Sequence, residues 1–197
     1  MVGTKRSPRR PKLRPDQILD AAERLLAEGA TELNMDRLAE AANLAKGTLY
    51  HYYASKTEVL DALRRRYLER TTHRAGGAAT DGNTQRRLAA FIQTLLDDAM
   101  ANGTLVWMLF HDTGVTGNAH LVVVSDALRD LIRDGVKRGD LTIDNPDAVA
   151  SFFAHGFFGR VQAAFDGPGV DPAGLAAELT AILERLVTPV ERRQDRS

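Results

Sequence analysis

Apolar residues recur along this chain every three to four positions, the period of a helix with one face turned inward. Ile18, Ala22, Leu25 and Leu26 share such a face, with Pro15 near the first turn and Gly29 at the stop. A short helix follows from Asn34, a good N-cap, and turns Met35, Leu38, Ala39 and Ala42 inward. Asn43 stands where the chain must turn, and asparagine tolerates the left-handed conformation better than most residues. The next helix covers about 45 to 53. Ser55-Lys56-Thr57-Glu58 has the spacing of a capping box and opens a longer helix on which Val59, Leu63 and Tyr67 share a face.

Residues 75–83 (AGGAATDGN) lack apolar bulk and read as the seam between two domains, 14–74 and 84–188. Beyond it the pattern predicts five more helices, over about 84–101, 104–113, 119–138, 147–165 and 172–187. Asn145-Pro146 and Asp171-Pro172 each pair an N-cap with a proline suited to the first helical position. Gly139 and the 167–169 Gly-Pro-Gly cluster supply stops. Leu121-Val122-Val123-Val124 could form a strand, but Leu121, Val124, Leu128, Leu131 and Ile132 keep helical spacing through it. The fold class is all-α with about nine helices: a three-helix N-terminal domain containing a helix-turn-helix, then a larger helical C-terminal domain.

Composition narrows the class further. The 197 residues are 44% apolar and 26% charged, ordinary for a globular protein. Cysteine is absent, so neither disulfides nor thiolate zinc sites are available. No apolar run reaches the roughly 18 residues of a membrane span, and no apolar stretch follows the basic N-terminus as in a secretory signal. A cytoplasmic address follows by elimination, with no membrane partner. The net charge of zero conceals a split. Residues 1–75 hold 15 Lys/Arg against 10 Asp/Glu, and residues 76–197 hold 11 against 16. Lys5, Arg6, Arg9, Arg10, Lys12 and Arg14 fall in a basic arm, residues 1–13 and the start of the first helix. Such an arm suits a polyanion, although a solvated tail has the same composition.

Two short helices joined by a tight turn form the helix-turn-helix pattern, whose second helix lays its outer face against base edges in the major groove. Leu44 and Leu49 anchor that helix inward, with Tyr53 beside them. Lys46, Thr48, Tyr50, His51 and Tyr52 remain for solvent or DNA, with the core as the other place for Tyr52 and plain solvent for His51. Gly47 costs up to about 1 kcal/mol of helix stability relative to alanine, which makes sense where backbone must approach DNA closely. The Arg64-Arg65-Arg66 run reads as a solvated helix face.

Leu38-Ala39, Ala42-Asn43-Leu44, Lys46-Gly47-Thr48-Leu49-Tyr50-His51-Tyr52-Tyr53 and Ser55-Lys56-Thr57-Glu58 together resemble the DNA-binding domain of the TetR family of bacterial regulators. The resemblance covers residues 14 to about 67. It implies that Thr48, Tyr50, His51 and Tyr52 touch bases or phosphates, with Lys46 and Gly47 at the leading edge. It also implies that Asn34, Arg37 and Lys56 lie near phosphates. Lys56 adds charge to a helix N-terminus, already an anion site. Two positions depart from the family. Asn43 replaces the usual turn glycine, and Ala45 replaces a serine or threonine cap, a loss of about 0.5–2 kcal/mol.

The C-terminal half offers two surfaces. Leu175, Leu179, Ile182, Leu183 and Leu186 form a stripe on the last helix. The helix before it is apolar on most sides, including Phe152 and Phe153, with Gly156 and Gly159 permitting close approach. The resemblance implies that these two helices pair with a second copy into a four-helix bundle, so that two half-sites about 34–36 Å apart are read together. A monomeric core is the alternative. Phe91, Leu95, Trp107, Phe110 and His111, with Phe153 and Phe157, have the composition of a small-molecule site and equally of a helical core. The resemblance implies a small, largely apolar effector there. Arg160 is suited to an anionic ligand or, better, to a neighbouring carboxylate.

The reading is a homodimeric regulator of a double-stranded operator, released by an effector. An effector-independent DNA-binding or architectural protein is the rival that shares the first half of it. A helical enzyme is more remote. The five histidines include no i,i+4 pair, and no phosphate loop or dinucleotide fingerprint occurs, so no catalytic residue, metal or cofactor is expected.

Overall fold

A computed structural model of the chain describes residues 15–29, 32–78, 82–110, 119–166 and 171–189. Among them are nine helices: α1 (Pro15–Ala27), α2 (Met35–Ala41), α3 (Lys46–Tyr52), α4 (Lys56–Ala78), α5 (Thr84–Ala101), α6 (Gly103–Phe110), α7 (Ala119–Lys137), α8 (Pro146–Asp166) and α9 (Pro172–Leu186). A two-residue antiparallel pair, β1 (Leu141–Thr142) with β2 (Thr188–Pro189), follows α7 and α9. Among the described residues no helix is long and apolar enough to cross a membrane. The chain divides into two compact units, one ending at Val59 and one beginning at Leu60.

In the first unit α1 packs on α2 and α2 on α3. Ile18, Ala21, Ala22 and Leu26 of α1 meet Leu33, Leu38 and Leu49 in a closed core, each at most 3% exposed. Removing a Leu- or Ile-sized side chain from water is worth roughly 1.5–3 kcal/mol, so these three short helices hold together without a disulfide.

The second unit is a helical stack. α7 lies along α8, α5 along α9, and α5 also meets α7. Gly135 of α7 faces Thr84 so closely that a Cβ there would stand 2.5 Å from the threonine methyl, which is why this contact takes glycine. Gly139, at φ +72°, ends α7 and turns the chain into β1. Its N–H donates to Val136 and that of Asp140 to Gly135, the paired bonds of a Schellman stop. Asn145 caps α8 by accepting from Ala148 N–H at 3.0 Å, ahead of Pro146 at the first position. Asp171 precedes α9 in the same arrangement but makes no side-chain cap bond.

Two expectations change, and one face of α8 is left open. α4 runs on through the small residues to Ala78 because Ala75 is fully buried and gives that turn a packing partner. Arg64 is not on a solvated face: it is 3% exposed and donates through Nε to the Leu109 carbonyl and through Nη1 to Asp61 at 2.8 Å. α8 is not covered all round within one chain. Ala150, Phe153, Ala154, Phe157 and Val161 are buried, while Phe152, Gly156, Gly159 and Ala163 are exposed.

Candidate nucleic-acid interface and effector cavity

The turn between α2 and α3 is built from the backbone outward. Asn43 has φ +54°, its N–H donates to Glu40, and Leu44 N–H donates to Ala39 at 2.8 Å. These are the two bonds of a Schellman motif, with asparagine in the place usually given to glycine. At the other end of α2, Asn34 accepts through Oδ1 from Asp36 N–H at 2.8 Å and Arg37 N–H at 3.3 Å. That leaves the Asn34 amide NH2 as a donor at a helix N-terminus, where anions are favoured.

α3 begins without a side-chain cap, since Ala45 has none to offer. Leu49 is its buried residue, at 0% exposure, and it seats the helix on the core. Lys46, Gly47, Tyr50, His51 and Tyr52 are exposed, Thr48 and Tyr53 half-buried. Tyr50 is 43% and Tyr52 39% exposed, unusual for large aromatic side chains in a domain with an intact core. His51 and Tyr52 meet edge to face, their ring centroids 5.8 Å apart.

Two lysines flank this surface, each held by a carboxylate. Lys46 pairs with Asp36 at 2.6 Å, and that hydrogen bond, reinforced by the charge itself, raises the Lys46 pKa above its ordinary value. Lys56, at the first position of α4, pairs with Glu32 at 2.9 Å. The start of α4 is a capping box with one change of partner. Glu58 N–H donates to Ser55 Oγ at 3.2 Å, but the Glu58 carboxylate accepts from Ala54 N–H at 2.8 Å, one residue before the cap. The basic arm lies outside the described residues. Residues 15–59 alone hold eight Asp/Glu and four Lys/Arg, so the positive balance of the N-terminal half resides in that arm and in α4.

The second unit contains a cavity of about 100 Å³ that is partly open to solvent. Of the residues expected around an effector, Leu95, Trp107, Phe110 and Phe157 line it. Phe91 and Phe153 are core instead, 1% and 4% exposed, and His111 lies outside the described residues. Tyr67, Thr71, Phe158 and Gln162 also line it and were not assigned to an effector site from sequence. Tyr67 and Thr71 belong to α4, which the sequence pattern presents only as a connecting helix.

The α9 stripe is divided by the fold. Leu175, Leu179 and Leu183 are buried within their own chain, where α9 meets α5. Ile182 and Leu186 are more than a third exposed, and Phe152 of α8 is 68% exposed. Arg160 bridges α8 to α9 with a bidentate pair to Glu178, at 3.0 and 2.9 Å, the carboxylate partnership expected for it. Among the described residues no group of three His, Cys, Asp or Glu is placed to hold a metal ion.

Residues 18–63 match the family of bacterial regulatory proteins, tetR family. An uncharacterised HTH-type transcriptional regulator of Mycobacterium tuberculosis, Rv1255c, is 42% identical over 71 residues, 36% of this chain and 33% of that protein. The HTH-type transcriptional repressor KstR of Mycolicibacterium smegmatis is 34% identical over 94 residues, 47% of this chain and 46% of KstR. The matched segments thus span a third to a half of these curated relatives. Among solved structures, RolR in complex with resorcinol superposes with a TM-score of 0.73 at 20% identity, covering 88% of this chain and 86% of RolR, a likeness of fold. The signature of the α2–α3 region and the family match over it agree: the N-terminal segment carries the DNA-binding domain of the bacterial regulatory proteins of the tetR family, and the helices of the described residues share the fold of RolR.

Proposed function

We propose that this chain is a sequence-specific DNA-binding transcription regulator, a repressor that holds a near-palindromic operator as a homodimer and releases it when a small, largely apolar effector fills the cavity. The observation that carries the DNA-binding part is α3: one buried leucine seats it, and Lys46, Gly47, Tyr50, His51 and Tyr52 are left outside. Tyrosine and threonine hydroxyls donate to phosphates and their carbon surfaces pack on thymine methyls. Arg37, Asn34 and Lys56 supply donors at two helix N-termini beside it. Binding DNA exchanges Lys46–Asp36 and Lys56–Glu32 for lysine–phosphate contacts, which weakens the electrostatic gain and leaves the arm as the main source of counterion release.

Dimerisation is supported by the uncovered face of α8 and α9. A Phe, two glycines and alanines present a flat apolar surface that a second copy can approach closely. Effector release is supported by the cavity and by α4, which carries Lys56 at its start and the cavity-wall residues Tyr67 and Thr71 further along. An effector acts through such a helix only by binding one of its positions more tightly than another.

The test is duplex binding by fluorescence anisotropy. Tyr50→Ala and Lys56→Ala should each weaken binding about fivefold or more, and Lys56→Ala should also flatten the log–log salt slope by about 0.9. Both should keep the wild-type melting temperature and oligomeric state. Wild-type affinity in both variants would remove these residues from the interface.

A further inference from the structure

We propose that Asp36 limits the affinity of the DNA-binding surface: its carboxylate competes with DNA phosphate for Lys46, so that the hold on any duplex backbone stays weak. The inference rests on the DNA-binding reading of α3 and adds how that surface is restrained. Lys46 opens α3, and Asp36 stands in the first turn of α2. The Lys46 ammonium lies 2.6 Å from Asp36 Oδ1, and the two side chains are 59% and 60% exposed. The pair is therefore on the surface, at the leading edge of the helix that leaves Tyr50, His51 and Tyr52 outside.

The charges around it point the same way. Residues 15–59 contain two lysines, Lys46 and Lys56, and each meets a carboxylate. Eight acids against four bases leave this stretch net negative, the opposite of a surface built for tight backbone binding. The hydrogen bond to Asp36, and then its charge, raises the Lys46 pKa above its ordinary value, so the acid already stabilises the ammonium before DNA arrives. A phosphate that takes the ammonium leaves that carboxylate bare beside a polyanion, well inside the roughly 8–10 Å over which salt screens. The gain from the phosphate contact is offset accordingly.

The ordinary role of such an acid is structural. Asp36 N–H donates to Asn34 Oδ1 at 2.8 Å, and a carboxylate in the first turn favours a helix N-terminus. An exposed ion pair adds little to stability, however, and the turn is already fixed by the backbone bonds of Asn43 and Leu44 and by the buried Leu38 and Leu49. The two roles differ in sign. Loss of a structural acid weakens DNA binding, whereas loss of a competitor strengthens it. A weak backbone hold also suits regulation. Allosteric coupling changes an affinity by roughly 5–150-fold, which clears DNA only where phosphate contacts do not hold it far more tightly than that.

Full-length wild type, Asp36→Asn, Asp36→Glu and Asp144→Asn are compared by anisotropy, across a salt series, on a duplex recovered by operator selection and on a random duplex of equal length. Asparagine keeps the size of the side chain and removes its charge. Asp144, exposed in the second unit, loses the same charge without touching the pair. Asp36→Asn should tighten binding to both duplexes by about threefold or more, keep their ratio within about twofold, and steepen the log–log salt slope by up to about 0.9, the share of one phosphate. Asp36→Glu and Asp144→Asn should bind like the wild type. Asp36→Ser replaces Asp36→Asn if the latter does not fold. Unchanged or weaker binding by Asp36→Asn, with the wild type binding duplex, overturns the role of Asp36 and leaves the DNA-binding reading standing. An equal gain by Asp144→Asn, or a gain confined to the selected duplex, overturns it too, since neither is competition for phosphate. No duplex binding by wild type and Asp36→Asn alike overturns the DNA-binding reading itself.

Discussion

Gly47 separates the needs of the fold from the needs of a ligand. A Cβ built on it meets nothing within 4 Å, and its backbone is ordinary helix, so nothing in the protein requires glycine there. Gly47→Ala should stabilise the domain by a few tenths of a kcal/mol to about 1 kcal/mol, read by chemical denaturation. It should also weaken duplex binding about tenfold or more, because the added methyl stands where DNA backbone or base edges must come. A variant both more stable and equally tight would show that α3 does not approach DNA at this point. Asn43 was legible for a related reason: few residues accept φ +54°, and asparagine between two short amphipathic stretches announces the turn. Arg64 was not. Three consecutive arginines carry no periodic signal as to which points inward, and the acceptor that holds Arg64, the Leu109 carbonyl, lies 45 residues away in the chain.

At the scale of elements, helix boundaries were legible wherever a cap or stop had its own residue. α5, α7, α8 and α9 begin and end within about two residues of their caps, prolines and glycines. The β1–β2 pair was not, because two residues hold no alternation and their partners are distant in sequence. Amphipathic stripes tell that a face is covered but not by what. Leu175, Leu179 and Leu183 are covered by their own chain, whereas Ile182, Leu186 and Phe152 are left open by it. The cavity was half legible: α5, α6 and α8 declared their aromatic and aliphatic bulk, but the α4 wall, including Thr71, could only be placed by packing. α4 and α6 are joined by the buried Arg64–Leu109 bond, next to cavity residues Tyr67 and Phe110, whose rings lie 6.2 Å apart. Arg64→Leu should cost about 1–3 kcal/mol in denaturant unfolding, since it strands a buried carbonyl. A loss below about 0.5 kcal/mol would mean that this bond does not hold the two helices together.

For the whole molecule, the uncovered α8–α9 face makes a distinct demand. Sedimentation equilibrium should give twice the chain mass of 21.6 kDa for the wild type, and Phe152→Glu should give the chain mass with helicity retained, because Phe152 contributes little inside its own chain. A Phe152→Glu protein that remains dimeric would move the interface elsewhere. Under the proposed function dimerisation is required, because a single seven-residue helix such as α3 reads too few base pairs to be selective, whereas two related by a two-fold axis would read a site twice that length. Selection of bound sequences from random duplex DNA with the purified protein tests the central claim most directly. Expected is a near-palindromic consensus with half-site centres about one helical turn apart, lost when Tyr50 and Tyr52 are both changed to alanine. Recovery of unenriched sequences, or of the same consensus with those two rings removed, would contradict it.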